Sequence, residues 1–288
     1  MKVSVSLLRN VCFIAAALTL ANHACSQPAA PEPDIGLQLF SIHSRLTNDL
    51  PAALAEIQSW GIKYIEGGVP RHGTIGHFKS LLAKYGLQEV SGQFDYVRWQ
   101  TDPEGTARIA HEMGWSYAGC SSVPHMNGFS EASCRRVIEV FNRAGEATAK
   151  YNIRFFYHPH GYEFQPYGDG TLFDLLMRET NPQRVFFQMD TFWIVHPGQD
   201  PVKLLNKYAG RWKLMHLKDM RKGTPTGLLT GRSNVTNDVP IGTGMIDFPA
   251  VMRAARQVGI EYYFIEDESP LSEQQIPQSL AYLRSLKD

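Results

Sequence analysis

The sequence predicts an α/β fold, a (β/α)8 barrel, on three observations. After Ile35, eight short apolar segments alternate with eight helical ones in one continuous run. The apolar segments lack the polar/apolar alternation of a half-exposed sheet, as parallel strands covered on both faces do. The chain of 288 residues has room for one barrel of about 250 residues. An open doubly wound sheet would also alternate strand and helix, but the count of eight favours closure.

The elements follow in order. GLQLF (36–40) is the first strand. DLPAALAEIQSWG (49–61) is a helix with Asp49 as cap, Pro51 in the first turn and Gly61 as stop. IKYIEGG (62–68) is the second strand, and 75–85 a helix that Gly86 ends. LQEVSG (87–92), WSYAGCS (115–121) and IRFFYH (153–158) are strands, separated by helices over 102–114 and 130–151. A helix over 172–180 leads to RVFFQMD (184–190), and one over 200–210 to WKLMHLKD (212–219). After a long loop, FPAVMRAARQVG (248–259) is helical, IEYYFIEDE (260–268) is the eighth strand, and 276–287 is the closing helix. The barrel domain is 35–288. A dinucleotide fold wants a Gly-rich loop after the first strand; Ser41-Ile42-His43-Ser44 stands there instead, which argues against a nicotinamide cofactor.

Ahead of the barrel, Lys2 and Arg9 precede the apolar run VCFIAAALTLA (11–21) and a small-residue boundary at Ala24-Cys25. This is the pattern of an export signal over 1–24, and the run is too short for a bilayer, which needs roughly 20 apolar residues. Ala24-Cys25 resembles a lipoprotein cleavage box, although Asn22 and His23 fit it poorly, so a lipid anchor on Cys25 and plain secretion to the periplasm both stand. Residues 25–34, rich in Pro and Ala, read as a flexible tether. The 28 Lys plus Arg balance 28 Asp plus Glu, which excludes a basic nucleic-acid-binding chain. Besides Cys25, Cys120 and Cys134 are expected as free thiols or at most one bridge.

In a barrel of this kind, residues at the C-terminal ends of the strands face the active site. Those ends supply Ser41 and His43, Glu66, Gln93, His125, His158, His160 and Glu163, Gln188 and Asp190, His216 with Lys218 and Asp219, and Glu266 to Glu268. Carboxylates and imidazoles from several strands are what a catalytic divalent ion needs. The expected ligands are Glu163, Asp190, His216 and Glu266, a set that suits Mn²⁺, with Mg²⁺, Co²⁺ or Zn²⁺ as competitors. The bland alternatives are a packed strand histidine at 216 and an exposed carboxylate at 266. They do not explain why FFQMD and YYFIED, both apolar, end in acids.

Six motifs in order carry a resemblance. GLQLFSIHSRL resembles a G-x-Q-x-Y-S opening. YHPHGYEF (157–164) resembles Y-H-N-H-x-x-E-F, with Pro159 in place of Asn. Asp190, Trp193 and Gly198-Gln199-Asp200-Pro201 match D-x-x-W followed by G-x-D-P. HLKD (216–219), PIGTGMIDF (240–248) and FIEDE (264–268) complete the series. On these, residues 35–286 resemble the sugar phosphate isomerase/epimerase family, the xylose isomerase-like TIM barrels. That group includes inosose dehydratases, ketose 3-epimerases, hydroxypyruvate isomerase and, more distantly, endonuclease IV.

The resemblance implies metal ligation by Asp190, His216 and Glu266. It leaves the first ligand between Glu163, at the family position, and His158 or His160. It implies Glu163, Glu266 and His160 as acid–base candidates, and His158, Trp193, Lys218, Glu66, His43 and His125 as contacts to substrate. The implied chemistry is proton removal beside a carbonyl polarised by the ion, through an enediolate, giving an isomer or epimer of a free keto sugar or polyol. Elimination from the same intermediate would make the protein a 3-keto-glycoside lyase or an inosose-type dehydratase, and a barrel that binds carbohydrate without turnover is the non-enzymatic alternative. Export weighs against phosphorylated substrates. The segment 220–243 is long for a strand–helix connection, where about 2–6 residues is common, and is expected to cover the pocket.

Overall fold

The structure, a computed structural model, describes residues 34–70, 72–126 and 128–286. The expected export segment 1–24, Cys25 and the expected tether up to residue 33 lie outside the described residues. The barrel strands are β1 (Ile35–Gln38), β2 (Tyr64–Gly67), β3 (Gln88–Phe94), β4 (Tyr117–Cys120), β5 (Arg154–Tyr157), β6 (Val185–Asp190), β7 (Trp212–Leu217) and β8 (Tyr262–Ile265). They close in the order β1-β8-β7-β6-β5-β4-β3-β2, and every neighbouring pair is parallel. The α/β class and the eight-stranded closure expected from the sequence are both present.

The outer helices are α1 (Leu50–Ser59), α2 (Ile75–Lys84), α3 (Pro103–Met113), α4 (Glu131–Ala149), α5 (Leu172–Glu179), α6 (Pro201–Lys207), α7 (Phe248–Val258) and α8 (Ser272–Ser285). Asp49, Asp102, Asp200 and Asp247 each cap a helix that carries Pro in its first turn. The aspartate satisfies a free amide while proline needs none there. The first strand is shorter than the sequence suggests: the Gln38 side chain accepts from the Phe40 amide and turns Leu39–Ile42 into a 3-10 helix. The last helix begins earlier, at Ser272, and runs through Pro277. No described helix is long and apolar enough to cross a membrane. Cys120 and Cys134 are free and buried.

Two apolar layers surround the sheet. Val90, Tyr117, Phe156, Leu214 and Phe264, with Tyr64, Phe186 and Tyr262 against them, form one cluster separate from the larger core under the helices. These residues come from seven strands and share the inward phase, because side chains on a strand alternate faces. They plug the barrel. Gly119 makes room for one of them: a Cβ there would lie 2.4 Å from the Phe156 ring.

Glu89 lies on the opposite face of β3 from Val90, buried to 6% exposure, with the Trp115 Nε1–H donating to it at 2.7 Å. Burial pushes its carboxyl up to about 8 from 4.5, against the Trp115 bond. Between those values the folded chain keeps a proton that the unfolded chain gives up, so stability falls as pH rises across the window. Glu89→Gln is therefore expected to raise the unfolding midpoint by a few degrees at pH 8 and to match wild type more closely near pH 5. Thermal melts at the two pH values check this; a gap that does not change with pH would contradict it.

Candidate active site

One step further along the inward phase, the apolar plug gives way to polar side chains. Tyr64 is followed by Glu66, Phe156 by His158, Phe186 by Gln188 and Asp190, Leu214 by His216, and Phe264 by Glu266. The register sets Asp190 beside His216 and His216 beside Phe264 on the neighbouring strands. The result is a group of four, His158, Asp190, His216 and Glu266, whose ligand atoms all lie within 4.8 Å of one another. His158 Nε2 is 3.7 Å from Asp190 Oδ2, His216 Nδ1 is 3.9 Å from the same oxygen, and His216 Nδ1 is in close ionic contact with Glu266 Oε2.

The donor set fits a cation. Asp190 Oδ2, His216 Nδ1 and Glu266 Oε2 are buried; the last two have only each other, and Asp190 Oδ2 has no hydrogen-bond partner among the described residues. An unpaired buried carboxylate oxygen is costly and rare, and a single divalent ion, displacing the proton shared by His216 and Glu266, would satisfy all three atoms. The electrostatics agree. Burial and then the Glu266 charge push Asp190 up to about 7. Burial alone would lower His216, but the charges of Glu66 and Glu266 raise it to about 10. Burial would raise Glu266 too, yet Lys218 and His216 hold it well below the usual range. Protons thus stand in where carboxylates crowd.

Glu163, expected as the first ligand and as a base, is not in the group. Its carboxylate accepts from the Gly161 amide at 2.8 Å and the His160 amide at 3.2 Å, and from the Tyr157 hydroxyl. Strand β5 ends at Tyr157, so the next inward residue is His158, whereas Glu163 falls in the 3-10 turn Tyr162–Phe164 that folds back on the loop. Burial raises its carboxyl to about 7. It anchors the 158–164 turn, and His158 takes the place expected for it.

The other expected residues divide into three sets. His160 and Trp193 border the four: the His160 ring lies 4.6 Å from that of His158 and 5.5 Å from that of Trp193. The Trp193 amide donates to Asp190 Oδ1 at 3.1 Å, which fixes the carboxylate. Glu66 and Lys218, expected to contact substrate, are instead enclosed by protein groups. Glu66 is fully buried behind His216. Lys218 Nζ pairs with Glu268, with Asp238 at 3.4 Å and with Glu266 at 3.5 Å. His125 and His43 lie further out: His125 stacks on Tyr162 at 4.0 Å, and exposed His43 stacks on Phe40 at 4.7 Å. Gln93 and Gln188 carry more of the site than sequence reasoning assigned them: Gln188 continues the inward phase of Phe186, whereas Gln93 turns inward through the register shift that sets Glu89 beside Ile65 and Ser91 beside Glu66.

The segment after β7 is pinned at its base by an antiparallel pairing of Asp219–Met220 with Asp238–Val239. Further out, the Gly227 amide donates to the His196 carbonyl at 2.9 Å, and the Arg232 guanidinium reaches Met126 Sδ at 2.7 Å. Gly231 approaches Tyr162 and His160 so closely that a Cβ there would lie 2.5 Å from the Tyr162 ring. The segment therefore runs beside His160 rather than standing off the barrel. The Gly-rich stretch 240–248 wraps the Asp219 carboxylate, which accepts from the amides of Met220, Gly242, Gly244 and Ile246 at 2.8–3.2 Å.

The family model for xylose isomerase-like TIM barrels matches residues 54–286. An inosose dehydratase of Clostridium botulinum (strain Eklund 17B / Type B) is 30% identical over 265 residues, covering 82% of this chain and 85% of that protein. One from Clostridium beijerinckii is 27% identical over 249 residues, 77% of this chain and 79% of that protein. The match to the inosose dehydratase of Geobacillus thermodenitrificans is shorter, spanning 55% of that relative's length. The crystal structure of a sugar phosphate isomerase/epimerase from Parabacteroides distasonis superimposes with a TM-score of 0.73 at 26% identity, covering 91% of this chain and 98% of that one.

Proposed function

The chain belongs to the xylose isomerase-like TIM barrel family, and from that premise we propose a metal-dependent, sugar-modifying enzyme. It acts as an isomerase or epimerase on a free keto sugar or related polyol. The observation that carries this is the convergent group His158, Asp190, His216 and Glu266, with Asp190 Oδ2 unpaired at its centre. Two imidazoles and two carboxylates suit Mn²⁺, with Co²⁺, Zn²⁺ and Mg²⁺ as competitors. When bound, such an ion supplies Lewis-acid polarisation of a substrate oxygen.

The chain's own groups do the rest. His160 Nδ1 faces the His158 carbonyl at 3.2 Å; holding its proton there leaves Nε2 free to take one. His160 is the candidate base beside the ligands, and burial keeps it neutral by holding its pKa well below the usual range. Trp193 offers an apolar wall for a sugar face. Lys218, already committed to three carboxylates, is poorly placed to receive a phosphate. That supports a free sugar, in keeping with export to the periplasm or a lipid-anchored surface location. The segment 220–243 acts as the lid.

The names of the curated relatives favour a second reading, an inosose-type dehydratase that eliminates a β-hydroxyl after the same proton removal; a 3-keto-glycoside lyase differs only in its leaving group. One experiment separates the readings. The mature protein with Mn²⁺ is incubated in D₂O with free ketoses, keto-inositols and 3-keto-glycosides. Deuterium appearing beside the carbonyl, lost with a chelator, supports the proton chemistry, and the product, epimer, isomer or eliminated species, assigns the class. No exchange with any of them would overturn it.

A further inference from the structure

Behind the two histidines, on the side away from the other ligands, lies a buried network centred on Glu66. Glu66 Oε2 accepts from the Ser91 hydroxyl at 2.7 Å and from the Gln188 amide nitrogen at 2.7 Å. Its Oε1 accepts from the Gln93 amide nitrogen at 2.8 Å and faces His216 Nε2 at 2.7 Å. Gln188 then presents its amide oxygen to His158 Nδ1 at 2.9 Å, and Gln93 donates to that same oxygen at 3.1 Å.

The donor bookkeeping leaves one consistent solution. An ionised carboxylate only accepts, so His216 must carry its hydrogen on Nε2. The same carboxylate attracts the amide nitrogen of Gln188 and repels its oxygen, which turns the oxygen toward His158. That oxygen can only accept, so His158 must carry its hydrogen on Nδ1. The atom that faces Asp190, Nε2 of His158 and, once an ion displaces the proton it shares with Glu266, Nδ1 of His216, is thereby the one that offers a lone pair.

We propose that Glu66 is a positioning residue that fixes which ring nitrogen of each histidine faces the ion, His216 directly and His158 through Gln188, and so governs the affinity for an ion it does not touch. This rests on reading the four residues as a metal site. It replaces the substrate contact expected of Glu66 and explains why a carboxylate with 0% exposure occupies the inward phase of β2. Groups behind metal-bound histidines fix ring orientation and change metal affinity by about 10–100-fold when lost.

The test uses Glu66→Gln and Gln188→Leu in the mature protein, with Mn²⁺ titrated by calorimetry and the ring nitrogens read by ¹⁵N NMR without metal. In Glu66→Gln the amide must turn a donor toward at least one of four donors. Mn²⁺ affinity is expected to fall about 10–100-fold, His158 should lose its single-tautomer signature, and the His216 Nε2 signal should shift. In Gln188→Leu the His158 signature alone should change, with His216 as in wild type. Affinity within twofold of wild type and unchanged ring signals in Glu66→Gln would overturn the proposal. If Glu66→Gln does not fold, an unchanged His158 signal in Gln188→Leu overturns it instead. A wild-type protein that binds no Mn²⁺ would sink the metal reading itself, a result distinct from either.

Discussion

Asp190→Ala is expected to abolish retention of a divalent ion and to lower turnover on the order of 10³-fold, since metal polarisation is worth several kcal/mol. Asp190 joins two tasks. Its Oδ1 caps the short helix Thr191–Val195 by accepting from the Trp193 amide, and its unpaired Oδ2 faces both histidines. Truncation removes a ligand and frees the Trp193 end of the pocket together. Asp190→Asn keeps the cap and loses the charge, so it should retain native stability while still losing the ion. Metal content after dialysis and melting curves for both variants check this; an Asp190→Asn protein that holds metal as wild type does would contradict it.

Asp219→Ala should give the largest loss of stability, about 3–5 kcal/mol, seen as a fall of about 5–15 °C in Tm. Its carboxylate is 1% exposed and accepts four backbone amides from two chain segments. Removing it leaves donors with no acceptor where water enters poorly. The geometry also explains the glycine at 244, where a Cβ would lie 2.2 Å from Asp219 Oδ1. The G-x-G pattern is thus a cradle for a protein carboxylate rather than for a ligand. Denaturant or thermal unfolding measures the cost, and a change below about 1 kcal/mol would show that the loop finds other acceptors.

The barrel was legible because strand length, helix caps and the number of strand–helix pairs depend on local chemistry. The Asp-x-Pro start at Asp49, the Asp-Pro start at Asp200 and the glycine stops at Gly114 and Gly259 are encoded within a few residues of where they act. Pro277 obscured the start of α8, because proline usually marks a first turn whereas here the helix runs through it. The site was legible where a polar residue ends an apolar strand, as Asp190, His216 and Glu266 do. Glu163 was misplaced because motif spacing gives residue type without direction. Counting the inward phase from Phe156 leads to His158, and only the backbone turn after Tyr157 shows that Glu163 points back into its own loop. The roles of Glu66 and Lys218 depend on partners far away in sequence, such as His216 and Asp238, and no local pattern carries that information.

The most direct measurement is Mn²⁺ stoichiometry and affinity, by equilibrium dialysis with elemental analysis, on the wild type, His158→Ala and Glu163→Gln. The expected result is one ion per chain in wild type and in Glu163→Gln, with binding weakened at least tenfold in His158→Ala. Loss of the ion in a folded Glu163→Gln with retention in His158→Ala, or no ion in wild type, would contradict a metal centre built from His158, Asp190, His216 and Glu266.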